Sequence, residues 1–301
     1  MVLEIKKFIY RLCLLNPFNR IVLNFIKYFW LPPRKIRDYL RFYGQFTIDV
    51  GESKRVVLFT DGHTIENELY WLGLKGWEPL SVAIWKELSK DSETIIDIGA
   101  GGGLFSIVGK SFNRTAAVIA FEPMPASFAR LKKNVESNHL DIRLENMAAF
   151  DEDGDGLIFC AQTVSDNADQ ASMNPVRNDK IARRQIEIKK MRMATYIENN
   201  GIKKIDLIKI DVETYEPKVL RGFGDYIERF KPSLLVEVLN KEVANEISEI
   251  FSNLPYSFYR IDERAGLFRV GEIKGGAVDC NYLLVEKSKI VLLKRFCSGA
   301  S

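Results

Sequence analysis

The sequence predicts an α/β protein built on a doubly wound, mostly parallel sheet. Three observations predict it. From about Thr94, short apolar runs of strand length alternate with segments of helical spacing, the pattern of βαβ units with helices on both faces of a sheet. The first of these runs leads straight into a glycine-rich turn, Gly99-Ala-Gly-Gly-Gly103. Near the C-terminus two more runs, Tyr256–Ile261 and Asn281–Val285, lack enough helix between them for a parallel crossover, so an antiparallel hairpin is expected at one sheet edge.

The first forty-odd residues read as amphipathic helix with breaks. Ile5, Phe8, Ile9, Leu12 and Leu15 recur at spacings of three and four before Asn16-Pro17 interrupts. Ile21, Val22, Phe25, Ile26 and Phe29 follow, and the run ends at Pro32-Pro33. An aromatic, cationic stretch with one apolar face suits a helix lying in a membrane interface. A helical cap packed on the domain, its cations merely solvated, has the same pattern. Strands are expected at Thr94–Ile98, Ala117–Phe121, Ile142–Met147, Ile205–Ile210 and Ser233–Leu239. Helices are expected at Leu104–Phe112, Pro125–Ser137, Tyr215–Phe223 and Glu242–Phe251. The polar stretch Ala161–Arg184 reads as a long loop, with Leu157–Cys160 and Gln185–Met191 pairing as strands at its base. The expected organisation is a basic helical extension over 1–50, one domain over 51–292 and a tail over 293–301.

Composition narrows the class. The 301 residues are 47% hydrophobic and 28% charged, enough apolar content for a real core. The longest stretch without a charged side chain, Ile98–Gly109, is too short to span a bilayer. The net charge of +3 hides an asymmetry: residues 1–41 carry nine Lys and Arg against Glu4 and Asp38, which is +7, and the rest sum to −4. A basic end on an acidic body points to contact with an anionic membrane surface and away from a nucleic-acid groove. Cys13, Cys160, Cys280 and Cys297 are too scattered for a C-x-x-C metal or redox motif. A reducing cytoplasmic setting is the expectation, with the basic segment at the inner membrane face.

The motif Thr94-Ile-Ile-Asp97-Ile-Gly99-Ala-Gly101-Gly102-Gly103 is the sharpest chemical signal. Glycines let the backbone approach a ligand closely, and the helix opening at Leu104 offers free N–H groups. A dinucleotide fingerprint starting at Gly99 needs glycine at 104, where Leu104 stands. Asp97 places a carboxylate in the crevice beyond the strand, which suits the sulfonium and amino groups of S-adenosylmethionine better than a pyrophosphate. Glu122, in Phe121-Glu122-Pro123, lies 23 residues past Gly99, where an acid accepts hydrogen bonds from ribose hydroxyls. A third cluster, Lys209-Ile-Asp211-Val-Glu213-Thr-Tyr215-Glu216, ends another strand, and Glu237 sits in the next. Asp211 is the leading candidate for an acceptor-side base, with Glu213 or Glu237 assisting. Glu216 reads as charge complementing a helix N-terminus.

Only two histidines exist. His139, in Asn138-His-Leu-Asp141, reads as a surface turn, and His63 lies in a second turn, Thr60-Asp-Gly-His-Thr. A divalent metal held by the acids would find oxygen ligands only, so Mg²⁺ or Ca²⁺ is expected over Zn²⁺.

Together, Asp97-Ile-Gly-Ala-Gly-Gly-Gly103, Phe121-Glu-Pro-Met-Pro125 with Leu131-Lys-Lys-Asn134, Glu145-Asn-Met-Ala148, and Asp206-Leu-Ile-Lys-Ile-Asp-Val-Glu213 followed by Glu216-Pro-Lys-Val-Leu-Arg-Gly222 resemble the FkbM-type methyltransferases. The resemblance covers about Glu78 to Asn240. It implies a Rossmann-like class I methyltransferase fold, S-adenosylmethionine as cofactor, and usually O-methylation of a sugar or other secondary-metabolite hydroxyl. A glycan or glycolipid acceptor at the cytoplasmic membrane face is the matching expectation. Carried over by position, Asp97, Gly99, Ala100, Gly101, Glu122 and Pro123 would hold the cofactor. Ala148 would lie near the adenine, and Glu78, in Trp77-Glu-Pro79, would join them. The family usually has glycine where Thr214 stands, so a Cβ there narrows the turn beside the acids. The alternatives are a nucleotide-dependent oxidoreductase on the same sheet and a non-catalytic scaffold.

Overall fold

The computed structural model describes residues 18–161, 183–276, 280–287 and 295–296. The first helical run, Ile5–Leu15, the body of the expected long loop and most of the C-terminal tail lie outside the described residues. The chain forms two compact units, residues 1–79 with 136–139, and residues 80–135 with 140–301.

In the first unit, helices Phe18–Phe29 and Arg34–Arg37 precede a hairpin of β1 (Tyr43–Gly51) and β2 (Lys54–Asp61), and the helix Thr64–Leu72 follows. Strict alternation builds β1: Phe46, Ile48 and Val50 are buried while Thr47 and Asp49 are exposed. Glu52 and Ser53 turn the chain with φ of 53° and 59°, the backbone of a two-residue hairpin whose twist matches its strands. Helix therefore does not run to residue 50 as expected; among the described residues it ends at Arg37, because the period changes from helical to two at Tyr43. Phe42 stacks on Tyr70 with ring centroids 4.1 Å apart. Beside them Glu68 accepts from buried Arg37 through both oxygens, at 3.1 and 2.6 Å.

The second unit holds an eight-stranded sheet in the order β12-β11-β13-β10-β9-β3-β4-β5. Its parallel half is β10 (Ser233–Glu237), β9 (Leu207–Ile210), β3 (Thr94–Ile98), β4 (Ala117–Phe121) and β5 (Arg143–Glu145). These strands are apolar on both faces, as helix-covered strands must be: Ile96, Phe121, Ile208, Ile210, Leu234 and Val236 are fully buried. The helices Leu104–Phe112 and Pro125–Ser137 make the crossovers at the expected bounds.

At the other edge the outcome differs from a simple hairpin. β11 (Tyr256–Asp262) and β13 (Asn281–Glu286) do pair antiparallel, but β13 lies between β10 and β11. An additional strand, β12 (Gly266–Val270), forms the tight hairpin with β11 and takes the edge. Its signal is weak because an edge strand buries little; only Leu267 is buried. A separate sheet of β6 (Ala148–Phe150), β8 (Arg183–Arg192) and β7 (Gly154–Ala161) carries the expected antiparallel pair, with Leu157 opposite Glu187. Among the described residues no helix is long and apolar enough to cross a membrane.

Candidate functional site

The carboxyl ends of β4, β3, β9 and β10 lie side by side, so the register sets the site. Ile98 is opposite both Phe121 and Ile210, and Val236 is opposite Ile210. The residues just past these ends are Glu122, Gly99 and Asp211, with Glu237 closing β10. The Asp211 N–H donates to Ile98 O at 3.0 Å, and Gly99 and Ala100 both donate to Phe121 O at 3.0 Å. Three chain reversals are thereby tied into one rim.

Gly99 (φ 78°), Gly101 (φ 55°) and Gly103 (φ 86°) all have left-handed backbones. Their surroundings differ. A Cβ at Gly99 would lie 1.9 Å from the Asp211 carbonyl oxygen, and one at Gly103 would lie 2.4 Å from Leu131. A Cβ at Gly101 would meet nothing within 4 Å, so that glycine faces open space.

Asp97 is not an open wall of this crevice. It is 1% exposed, and its Oδ2 accepts from the Ser106 N–H at 2.9 Å and the Ser106 hydroxyl at 2.5 Å, holding the start of the helix to β3. Its Oδ1 is buried and has no hydrogen-bond partner among the described residues. Burial raises its pKa, opposed by the charge of Lys209, its register neighbour on β9. Glu122 is also buried. Its Oε2 accepts from the Gly101 N–H at 2.8 Å and its Oε1 from the Met124 N–H at 2.9 Å. Burial pushes its carboxyl up to about 7, although both backbone donors pull it down. Pro123 follows, half-buried, and Asn146 donates to Glu122 O at 2.8 Å.

The fit to an adenosyl cofactor can be tested on these atoms. Space beside Gly101, an ionisable acid at the end of β4 and an unpartnered buried oxygen on Asp97 match a cationic ligand that carries a ribose. These residues fit.

On the acceptor side, Lys209 is buried and places its ammonium 2.6 Å from Asp211 Oδ2 and 4.6 Å from the Phe105 ring centroid. Asp211 itself is half-exposed. Glu237 takes a weak contact from the Cys280 thiol at 3.6 Å, while its Oε2 is buried with no hydrogen-bond partner among the described residues. Its pKa lies well above the carboxylate range, because it is buried and then because the Asp211 charge faces it. Glu213 and Thr214 form the turn after β9 with φ of 56° and 84°. Glu216 explains how that turn holds: its Oε1 accepts from the N–H groups of Val212 and Thr214 at 3.0 and 3.2 Å. It is thus a clamp rather than a solvated charge at the helix start, and burial pushes its carboxyl up to about 7.

The structure therefore brings together Asp97, Gly99, Ala100, Gly101, Glu122 and Pro123 along one rim, with Asp211, Glu213 and Glu237 beside it. Ala148 is buried in β6, the second sheet. Glu78, at φ 43°, belongs to the first compact unit, ahead of the helix Pro79–Lys90. His63, also in that unit, is buried with Nε2 3.2 Å from Asp61 Oδ1, and His139 is an exposed turn residue at φ 50°. Lys209 is the residue that motif reading passed over. Its signal was a lysine inside an otherwise apolar strand run, Leu-Ile-Lys-Ile. Among the described residues no group of three His, Cys, Asp or Glu side chains is arranged to hold a metal ion, so the Mg²⁺ or Ca²⁺ expectation gains no support. The Lys209 ammonium already supplies a cation at Asp211.

Comparison with known proteins follows the same rim. The FkbM methyltransferase domain matches residues 97–263, from Asp97 to the turn after β11. The 31-O-demethyl-FK506 methyltransferase FkbM of Streptomyces tacrolimicus is 26% identical over 165 residues, covering 45% of this chain and 61% of that protein. Methyltransferase 1 of Beauveria bassiana is 23% identical over 149 residues, covering 45% of this chain and 60% of that protein. The chain thus spans about three-fifths of the length of these relatives. A crystal structure of methyltransferase FkbM from Methylobacillus flagellatus aligns with a TM-score of 0.39 and 16% identity, over 64% of this chain and 44% of that one. With more than half of its length matched, from the glycine turn through the acids of β9 and β10, the chain belongs to the FkbM methyltransferase family.

Proposed function

We propose that the protein is an S-adenosylmethionine-dependent O-methyltransferase whose acceptor is a sugar or glycolipid hydroxyl. The observation that carries the cofactor reading is the Glu122 carboxylate, held by the Gly101 N–H beside the open space at that glycine. Glu122 would take the ribose hydroxyls, Asp97 the cationic methionine end, and Gly99 to Gly101 with Pro123 the close backbone approach. Ala148 would line the adenine. When bound, the cofactor supplies an electrophilic methyl group on sulfur. The family relative named for 31-O-demethyl-FK506 supports oxygen as the acceptor atom.

Catalysis then rests on positioning an alcohol and accepting its proton. Asp211 would take the proton that the acceptor hydroxyl gives up when its oxygen gains the methyl group and the sulfur loses it. Lys209 orients that carboxylate through its 2.6 Å contact with Oδ2. Glu237, pushed toward its neutral form by burial and then by the facing Asp211 charge, leaves the negative charge to Asp211, with Glu213 at the mouth. The Leu104 side chain, where a dinucleotide fingerprint has glycine, argues against the oxidoreductase alternative.

Calorimetry with S-adenosylhomocysteine tests the cofactor: micromolar or tighter binding is expected, abolished in Asp97→Ala with Glu122→Ala. Absence of binding by the wild type sinks the reading. Labelled S-adenosylmethionine incubated with fractionated cell extract tests the acceptor; label in a protein or nucleic-acid fraction alone would overturn the glycan assignment.

A further inference from the structure

Of the ten large hydrophobic side chains that stand exposed among the described residues, nine lie between Ile21 and Tyr39. Surface apolar residues are ordinarily scattered; a contiguous set marks a contact surface. The helix Phe18–Phe29 shows how the set arises. One side is fastened within the first compact unit. Leu23 is buried, Asn19 Nδ2 donates to Arg41 O at 3.0 Å, and the Tyr70 hydroxyl donates to Asn24 Oδ1 at 2.8 Å. The Lys27 ammonium bonds the Tyr70 carbonyl and lies 4.5 Å from that ring's centroid.

The opposite side carries Ile21, Phe25, Tyr28 and Phe29, which are 66, 66, 83 and 68% exposed. Spacings of four from Ile21 to Phe25 and from Phe25 to Phe29, and of three from Phe25 to Tyr28, keep them on one helical face. The rings already touch, with Phe29 4.8 Å from both Phe25 and Tyr28. Trp30, Leu31, Ile36 and Tyr39 extend the exposed apolar surface beyond the helix. Arg34 and Lys35 are exposed in the same stretch, exposed Arg20 flanks the helix face, and between residues 18 and 41 the sole acid is Asp38.

We propose that this face docks on an anionic phospholipid surface, with its rings at the acyl boundary and Arg20, Arg34 and Lys35 among the lipid phosphates. Aromatic residues mixed with cations are the chemistry of the membrane interface, where amphipathic rings and phosphate meet. A second copy is the poorer occupant. A two-fold interface would press this cationic patch against itself, and like charges repel. The helix is anchored before any membrane arrives, so docking does not have to pay for folding it.

The test is co-sedimentation of the full chain with vesicles of phosphatidylcholine alone and of equimolar phosphatidylcholine and phosphatidylglycerol. Binding is expected to the anionic vesicles only, and to weaken as salt rises. Phe25→Ser with Phe29→Ser is expected to weaken it about tenfold or more. Arg34→Glu with Lys35→Glu should do the same. Circular dichroism and the thermal midpoint of each variant confirm that it folds. Failure of the wild type to bind anionic vesicles overturns the proposal, as does equal binding by folded variants. A wild-type dimer in sedimentation velocity that Phe25→Ser with Phe29→Ser dissociates, with no vesicle binding, assigns the face to a second copy. None of these outcomes depends on methyl transfer.

Discussion

Gly99 and Asp211 are fitted backbone to backbone: a Cβ on the glycine would fall 1.9 Å from the Asp211 carbonyl oxygen. The glycine of the first turn is thus required by the neighbouring strand end as well as by any ligand. Closeness of the two turns is what lets the β3 rim and the β9 acids share one crevice.

Gly99→Ala tests this fit. A left-handed φ of 78° costs about 1–2 kcal/mol for an L-residue, and the backbone overlap adds a packing cost of about 1–3 kcal/mol. Urea unfolding should show a loss of about 3 kcal/mol or more. A loss below about 1 kcal/mol would mean that the two turns are not packed as described.

Thr214 presents the reverse case. A β-branched residue at φ 84° stands where the family usually has glycine. Thr214→Gly removes the backbone strain and gives back some unfolded-state entropy, a net gain of about 0.5–1 kcal/mol. The N–H donated to Glu216 is kept. The thermal midpoint should rise; a fall would show that the threonine side chain is itself needed.

Glu122 and Glu216 make stability depend on pH. Each carboxyl sits near 4.5 when unfolded and is pushed up to about 7 when folded, chiefly by burial. The folded state therefore binds more protons between these values. The stabilisation is complete below about pH 4.5 and is lost as pH rises through about 7, at up to about 3 kcal/mol for each group. Denaturant titrations across that window should show declining stability without cofactor, and Glu122→Gln should flatten the decline. Affinity for S-adenosylhomocysteine should climb with pH over the same range, since the ionised carboxylate is the better acceptor for hydroxyls.

The Lys209–Asp211–Glu237 cluster separates catalysis from cofactor binding. Asp211→Asn should lower kcat by about 10²–10⁴ while S-adenosylhomocysteine affinity stays within about twofold. Lys209→Met removes the cation 2.6 Å from Asp211 and should lower kcat with Asp211 still in place, while S-adenosylhomocysteine affinity stays within about twofold. Glu237→Gln imitates a neutral carboxyl and should leave stability within about 1 kcal/mol of the wild type. A large loss there would show that Glu237 is charged.

In the first unit, Arg37→Met leaves Glu68 buried without its partner and should cost about 3–5 kcal/mol. Replacing both, with Glu68→Leu added, should recover most of that loss. Chemical denaturation of the single and double variants checks the pair.

Much of this was legible along the chain because its causes are local. The strands Thr94–Ile98 and Ala117–Phe121 and the helices Leu104–Phe112 and Pro125–Ser137 have the bounds that apolar spacing assigns them. Glycine turn, Glu122 and Asp211 follow from strand ends and fixed intervals, and the resemblance to the family rests on the motifs around them. What needed the folded chain came from contacts between distant segments. Strand β13 lies between β10 and β11 because pairing is chosen across the sheet, and no local pattern records it. Asp97, expected to face a ligand, spends one oxygen on Ser106, since burial demands a partner for it. Lys209 became part of the site only when β9 set it under Phe105 and beside Asp211. The same holds for the helix Phe18–Phe29. Its apolar residues and cations are evident in sequence, but only packing settles which face is spent on the protein and which is left for water or lipid. Periodicity fixes directions around one element, whereas burial depends on everything that surrounds it.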